Sequence, residues 1–175
     1  MCEFYLNHYQ KAYEWFEKVE MGRCHEEAIY KMFLCVILSN HFENEEPIIL
    51  EIPKLGNKKK IMVYTAFKNL IMNHAVDILS HDKEESKEYA NIIFALLNDL
   101  IKTDRPEIFE TSLQLLNLIE NDEVLLRLGK LYYYHGFYQL AYGEFMRSMH
   151  LFNKIDKEGL EMIGNVMDLG SELKN

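Results

Sequence analysis

Residues 122–153 read DEVLLRLGKLYYYHGFYQLAYGEFMRSMHLFN, and this stretch decides the fold class of the chain. Apolar residues recur at helical spacing on both sides of a short interruption at His135-Gly136-Phe137. The pattern predicts two helices, over residues 122–135 and 138–153, which so short a turn forces to lie antiparallel. Glycine at position 136 can adopt the backbone conformation that a sharp turn requires.

The two helices should cross closely, because small residues stand where their axes meet. Gly129 and Ala141 are the small residues, and Tyr132 and Phe145 fill the space beside them. The full set of ordered positions is Leu128, Gly129, Tyr132, Gly136, Tyr138, Ala141, Phe145 and Ser148.

This order of residues resembles the tetratricopeptide repeat, a helix–turn–helix unit of about 34 residues. Three positions depart from the family pattern: Leu125 replaces the usual Trp, Ser148 the late Ala, and Asn153 the closing Pro. None of these changes alters how the two helices pack. The resemblance is clearest over residues 122–173.

Two other segments echo the repeat. Residues 157–173 look like a further first helix, and its signature positions are Leu160, Ile163, Gly164 and Met167. Residues 7–12, followed by Phe16 and Val19, look like a second helix whose partner begins before Met1. This register suggests that the chain is the C-terminal part of a longer protein, since a half repeat exposes an apolar face that a preceding repeat should cover.

Between Arg23 and Glu120 the helical periodicity continues without a convincing repeat register. It predicts further helices over about residues 25–41, 58–81, 84–103 and 106–119, the last of them with Pro106 in its first turn. Residues 47–53, closed by proline at each end, fit a short helix or an extended connector, and the helix is favoured. Residues 54–60 are predicted to form a loop.

The resemblance implies an all-α fold: a right-handed superhelix of antiparallel helix pairs, with about ten helices in one domain. Residues 1–21 would be a partial repeat and residues 22–121 degenerate helical pairs. Residues 122–155 would be the best repeat and residues 156–175 the terminal helix.

Composition disfavours several classes of function. The chain of 175 residues is 49% hydrophobic, which is too apolar for a disordered tail. Its formal net charge of -9 disfavours binding to nucleic acid or to an anionic membrane. The sequence predicts a cytoplasmic protein for three reasons. Its three cysteines are irregularly spaced, it has no signal-peptide pattern, and its uncharged runs are too short to cross a membrane.

Motifs that carry catalysis or bind phosphate are missing from the sequence, so no catalytic residue and no cofactor is predicted. The strongest metal-like group is His74, Asp77 and His81, which would share one face of the helix predicted over residues 58–81. No fourth ligand can be named. The favoured interpretation is a buried His74 with a solvated pair at the helix end, so no metal site is predicted.

The resemblance implies a concave groove that holds a protein or peptide. The groove candidates are Glu123, Arg127, Lys130, Tyr133, Tyr134 and Asn165, with Leu126, Glu161 and Asp168 nearby. For the two tyrosines, ordinary contact with the neighbouring first helix is an equally weighted alternative. A clamp for a peptide carboxylate, as in chaperone-binding members of the family, is disfavoured because Glu123 and Leu126 contradict its chemistry.

The expected function is therefore non-catalytic binding of a protein or peptide. Two alternatives remain open. The chain could be an accessory repeat domain of a bacterial family-2-type glycosyltransferase whose catalytic domain lies upstream, or a regulator whose repeats sense a signalling peptide. A homodimer through exposed terminal helices is also possible on this reading.

Overall fold

Helices make up the regular secondary structure of the described residues, which are 2–19, 25–39 and 57–172 in the computed structural model. The predicted all-α class is confirmed for these ranges, which hold nine α-helices, one 3₁₀ helix and one isolated bridge. In chain order the elements are α1 (Cys2–Tyr5), α2 (Tyr9–Glu17), α3 (His25–Leu38), α4 (Lys58–Ile71), α5 (Lys83–Leu100), α6 (Pro106–Ser112), the 3₁₀ helix (Leu113–Leu118), α7 (Val124–Tyr134), α8 (Tyr138–Phe152) and α9 (Lys157–Glu172).

The chain divides into two units, Met1–Ile119 and Glu120–Asn175. We call them the N-terminal and the C-terminal unit. The first holds α1 to α6 and the 3₁₀ helix, and the second holds α7 to α9. The superhelical arrangement and the single repeat domain stay predictions.

The core of the N-terminal unit is built around α3, whose sequence is apolar on nearly all sides. The ring of Phe33 packs against Tyr64 and Phe67 of α4, with centroids 5.6 and 6.2 Å away. Cys35 is buried, and burial raises the pKa of its thiol to about 12. Cys35 is a free cysteine and packs as a small hydrophobic residue, while Cys2 and Cys24 lie outside the described side chains.

A buried ion pair joins three helices of this unit. Lys31 of α3 is only 4% exposed and pairs with Asp99 of α5. The same carboxylate accepts a hydrogen bond of 2.9 Å from the hydroxyl of Tyr5 in α1. The Lys31 ammonium also lies 4.9 Å from the centre of the Phe4 ring. Each charge therefore has a partner inside a largely apolar surrounding, which is the condition for keeping it buried.

Helix α4 is shorter than its periodicity predicts. Asn73 takes a left-handed conformation (φ 56°), and the amide of His74 donates to the carbonyl of Asn69 at 2.8 Å. This backbone arrangement is a common helix ending, and asparagine tolerates it better than most residues. The prediction of one helix over residues 58–81 is therefore wrong beyond Ile71.

The chain after α4 is not helical as far as Asp82, so the proposed shared face of the metal-like group does not exist. His74 is exposed and not buried in an apolar stripe, which corrects the favoured interpretation as well. The amide of Leu79 donates to the carbonyl of Leu118 at 2.7 Å, which ties this segment to the 3₁₀ helix. Within the described ranges, no group of three His, Cys, Asp or Glu residues could hold a metal ion.

The basic run Lys58–Lys60 is the first turn of α4 and not part of a loop. The side chain of Asn57 caps this turn by accepting from the amide of Lys59 at 2.9 Å. Lys59 and Lys60 pair with Glu88 and Glu27, each at 2.8 Å, so these lysines are held by neighbouring helices. The predictions for residues 47–53 and for residues 54–56 fall outside the described residues.

The stretch predicted as one helix over residues 106–119 divides in two. Pro106 lies in the first turn of α6, as predicted, but the α-helix ends at Ser112 and a 3₁₀ helix follows. The hydroxyl of Ser112 donates to the carbonyl of Phe109 at 2.6 Å and so competes for helical backbone hydrogen bonds. Ile119 is extended and forms the isolated bridge with Ser80.

The close crossing predicted for the C-terminal unit is confirmed. A Cβ atom built on Gly129 of α7 would lie 2.6 Å from two atoms of the Phe145 ring in α8. Ala141 and Phe145 are completely buried, and Tyr132 nearly so. Gly136 has the positive φ (81°) that the turn between these helices requires.

Candidate protein-binding surface

Helices α7 and α9 are joined by a polar cluster around Lys130. Its ammonium forms ion pairs with both Asp156 and Glu158 at the start of α9. Asp156 also accepts a hydrogen bond of 2.8 Å from the amide of Gly159, so it caps the first turn of the helix. Lys130 thereby fixes the N-terminus of α9, where acidic residues are favoured by the helix dipole.

The two groove tyrosines make contacts within the same unit. The hydroxyl of Tyr134 donates to the carboxylate of Glu158, and Asn165 donates from Nδ2 to the hydroxyl of Tyr133 at 3.0 Å. Contact with the neighbouring first helix, the alternative weighed for these side chains, is therefore observed. Tyr134 nevertheless remains 66% exposed, so most of its ring still faces solvent.

The fold thus brings together Lys130, Tyr133, Tyr134 and Asn165. Arg127 lies about one turn before Lys130 and Glu123 about two turns before it. Burial lowers the pKa of the Arg127 guanidinium, an effect that nearby Glu123 opposes. Leu126 does not face a groove: it is buried, and its Cδ1 atom lies 3.2 Å from a Cβ built on Gly159. The last helix covers it.

The charges of the cluster shift one another's pKa values. Hydrogen bonding to Lys130 lowers the pKa of Asp156 and, together with Tyr134, that of Glu158. Burial works against the charge of Lys130, but its bonds to the two carboxylates prevail and raise its pKa. The hydrogen bond to Glu158 raises the pKa of Tyr134. The cluster is therefore fully charged at neutral pH, and its contacts hold α9 against α7.

A second surface, which the sequence analysis did not identify, lies on α8. Tyr138, Tyr142, Met146 and Met149 follow one another at helical spacing, and each is between 36% and 42% exposed. We call these four residues the α8 face. The only Lys, Arg, Asp or Glu residues in this helix, Glu144 and Arg147, pair with each other at 2.9 Å, so the face is apolar and uncharged. The sequence feature that could have indicated this face is the low charge of α8, which has only two Lys, Arg, Asp or Glu residues among its 15 residues.

No protein-family model, curated protein or solved structure matches the chain. The resemblance to the tetratricopeptide repeat therefore rests on the residues that carry it and on the packing of α7 against α8. Among the described helices, none combines the length and the apolar character needed to cross a membrane.

The Lys130 cluster should make the stability of the C-terminal unit sensitive to acid. Because hydrogen bonding lowers the pKa values of Asp156 and Glu158 in the folded state, their contribution is present at neutral pH and is lost as the pH falls from the ordinary carboxylate range through these lowered pKa values. We expect Lys130→Met to flatten this acid dependence. The measurement is the urea midpoint of unfolding, followed by far-UV circular dichroism from neutral to acidic pH.

Lys157→Met is the matched control, since Lys157 forms only a loose pair of 3.7 Å with Glu161 at the surface. This variant should keep the acid dependence of the wild type. An unchanged acid slope in Lys130→Met would show that the cluster does not stabilise the contact between α7 and α9.

Proposed function

We propose that this chain is a non-catalytic helical-repeat module that binds a protein or peptide, with its binding surfaces in the C-terminal unit. The observation that carries the proposal is the α8 face, four large apolar side chains aligned on one helix and open to solvent. Contiguous exposed apolar residues of this kind typically mark interaction sites, and tyrosine and methionine are enriched in the centres of interfaces.

The partner is proposed to be a protein or peptide because the overall charge argues against the other candidates. With a net charge of -9 the chain repels phosphate backbones and anionic lipids. The α8 face contributes no charge to this repulsion, and its side chains offer area that a partner can bury.

The groove candidates support the proposal in a different way. Asn165 holds Tyr133 and Glu158 holds Tyr134 in place beside α9, and a rigid aromatic side chain binds with a small loss of conformational entropy. We assign the groove residues to partner contacts as well, on the strength of the exposed Tyr134 ring and of the family resemblance.

In the test, the full chain is immobilised and incubated with the native cytoplasm. The proteins recovered with it are measured by quantitative mass spectrometry. Changing Tyr142 to glutamate should reduce recovery of specific partners at least tenfold, because a charge would be placed in the buried centre of the interface. The matched control is Leu151→Glu: Leu151 is also exposed, but lies nine residues, about two and a half turns, after Tyr142 and therefore on the opposite side of α8.

Equal losses of partner recovery in Tyr142→Glu and Leu151→Glu would argue against the α8 face as the binding surface. The groove is tested separately with the double variant Arg127→Ala/Tyr133→Ala. Unchanged partner recovery by this variant would remove the groove assignment and leave the α8 face standing.

A further inference from the structure

Helix α9 repeats the pattern of α7 at a distance of 35 residues (129 to 164). The matching positions are Leu125 and Leu160, Leu128 and Ile163, Gly129 and Gly164, and Tyr132 and Met167. In α7, Leu128, Gly129 and Tyr132 of this set are buried, and the Phe145 ring of α8 lies directly on Gly129. Helix α7 therefore shows how a second helix packs on these positions in this protein.

In α9 the same positions are open. A Cβ atom built on Gly164 meets nothing within 4 Å, and Leu160 and Met167 are 52% and 61% exposed. The opposite side of α9 is the packed one, since Met162 is buried. We call Leu160, Ile163, Gly164 and Met167 the α9 outer face. Among the described residues, no helix lies on this face as α8 lies on its equivalent in α7.

The charge around this face indicates what can cover it. Helix α9 carries one basic residue against four acidic ones: Lys157 against Glu158, Glu161, Asp168 and Glu172. By helical spacing, Glu161 and Asp168 lie along one edge of the α9 outer face. Lys157 lies on the same edge and forms the loose pair of 3.7 Å with Glu161, so the edge keeps an excess of one negative charge. A second copy of the chain would bring the same acidic edge and an equal net negative charge, whereas a helix with lysine or arginine beside its apolar stripe would complement it.

We infer that the α9 outer face is a docking site for a basic amphipathic helix of the partner. The partner helix would place an aromatic side chain on Gly164, as Phe145 lies on Gly129, and its basic residues along the edge formed by Glu161 and Asp168. Docking of an amphipathic helix through apolar residues spaced three and four apart is an established mode of recognition. The inference rests on the proposed function and specifies the chemistry of the partner.

The probe is a fluorescent synthetic peptide with the sequence of residues 137–153, because this helix covers the equivalent surface of α7. Three substitutions along one edge of its buried stripe, Leu140→Lys, Glu144→Lys and Leu151→Lys, supply the basic residues. Binding to the full chain is followed by fluorescence anisotropy. A second peptide with glutamate at these three positions should bind at least tenfold more weakly in low salt, and the difference should shrink as salt is added.

Two variants of the chain locate the site. Gly164→Leu places a bulky side chain where the aromatic residue should sit, and we expect at least a tenfold loss of affinity. Its matched control is Gly143→Leu in α8, since both glycines are helical and open, with nothing within 4 Å of an added Cβ. Both variants should fold, because leucine favours helix more than glycine does and the added Cβ meets no neighbour.

Saturable binding that Gly164→Leu weakens and Gly143→Leu preserves would support the inference. Absence of binding to the wild type, or equal binding to both variants, would overturn it. So would reversible dimerisation of the wild-type chain in sedimentation that Gly164→Leu abolishes, because a second copy would then occupy the face. If the peptide does not bind but Tyr142→Glu still reduces partner recovery, only this inference is lost. If the peptide does not bind and Tyr142→Glu leaves partner recovery unchanged, the proposed function is lost too.

Discussion

Replacing Asp99 with alanine should lower the free energy of unfolding of the N-terminal unit by about 3–5 kcal/mol, the usual result of leaving a buried charge without its partner. Lys31 is 4% exposed and the Asp99 side chain 15% exposed, so water cannot solvate the orphaned ammonium well. The hydroxyl of Tyr5 would lose its acceptor at the same time. Because natural domains are stable by only about 5–15 kcal/mol, the loss should be large enough to shift the urea midpoint strongly.

Two comparisons make this expectation specific. Glu84→Ala, in the same helix, removes an exposed ion pair with Lys87 and should cost less than about 1 kcal/mol. The double variant Asp99→Leu/Lys31→Met removes both buried charges and should recover most of the lost stability, since a buried pair can often be replaced by apolar residues of similar size. Urea unfolding followed by far-UV circular dichroism measures all three. If Asp99→Ala and Glu84→Ala cost the same, the pair is not buried in solution.

Changing Gly129 to alanine should destabilise the C-terminal unit, although alanine favours helix. The added Cβ would lie 2.6 Å from the Phe145 ring, which is completely buried and enclosed by its neighbours. Overpacking of this kind costs about 1–3 kcal/mol, which exceeds the gain of about 0.5–1 kcal/mol from helix propensity. Hydrogen exchange of the α7 and α8 amides reports this change separately from the N-terminal unit.

Gly143→Ala is the matched control, because a Cβ at that position of α8 meets nothing within 4 Å. It should stabilise the helix by about 0.5–1 kcal/mol, so the two glycines should respond with opposite signs. In addition, Phe145→Leu should reduce the penalty of Gly129→Ala, because the two substitutions are coupled through one contact. Similar effects of alanine at both glycines would show that α7 and α8 do not approach as closely as described.

The groove residues could be predicted from sequence, but neither their partners nor the α8 face could be. The small and large residues at Gly129, Ala141 and Phe145 indicate a close crossing, and the crossing is there. The tyrosine run predicts a pair of groove residues, yet the hydrogen-bond partners of Tyr133 and Tyr134 come from α9, more than twenty residues away. Such pairings depend on how helices are placed in space, which the periodicity of one helix does not contain.

The sequence by itself determined the all-α class, the hairpin of α7 and α8, and the turn at Gly136, because each depends on residues within a few positions of one another. Tertiary structure decided where α4 ends, since the chain after Ile71 pairs with Leu118 and does not continue the helix. It also decided that Lys31 is buried and that the α8 face is open. An apolar stripe has the same sequence whether or not another helix covers it, so exposure, and with it the binding surface, is settled only by packing.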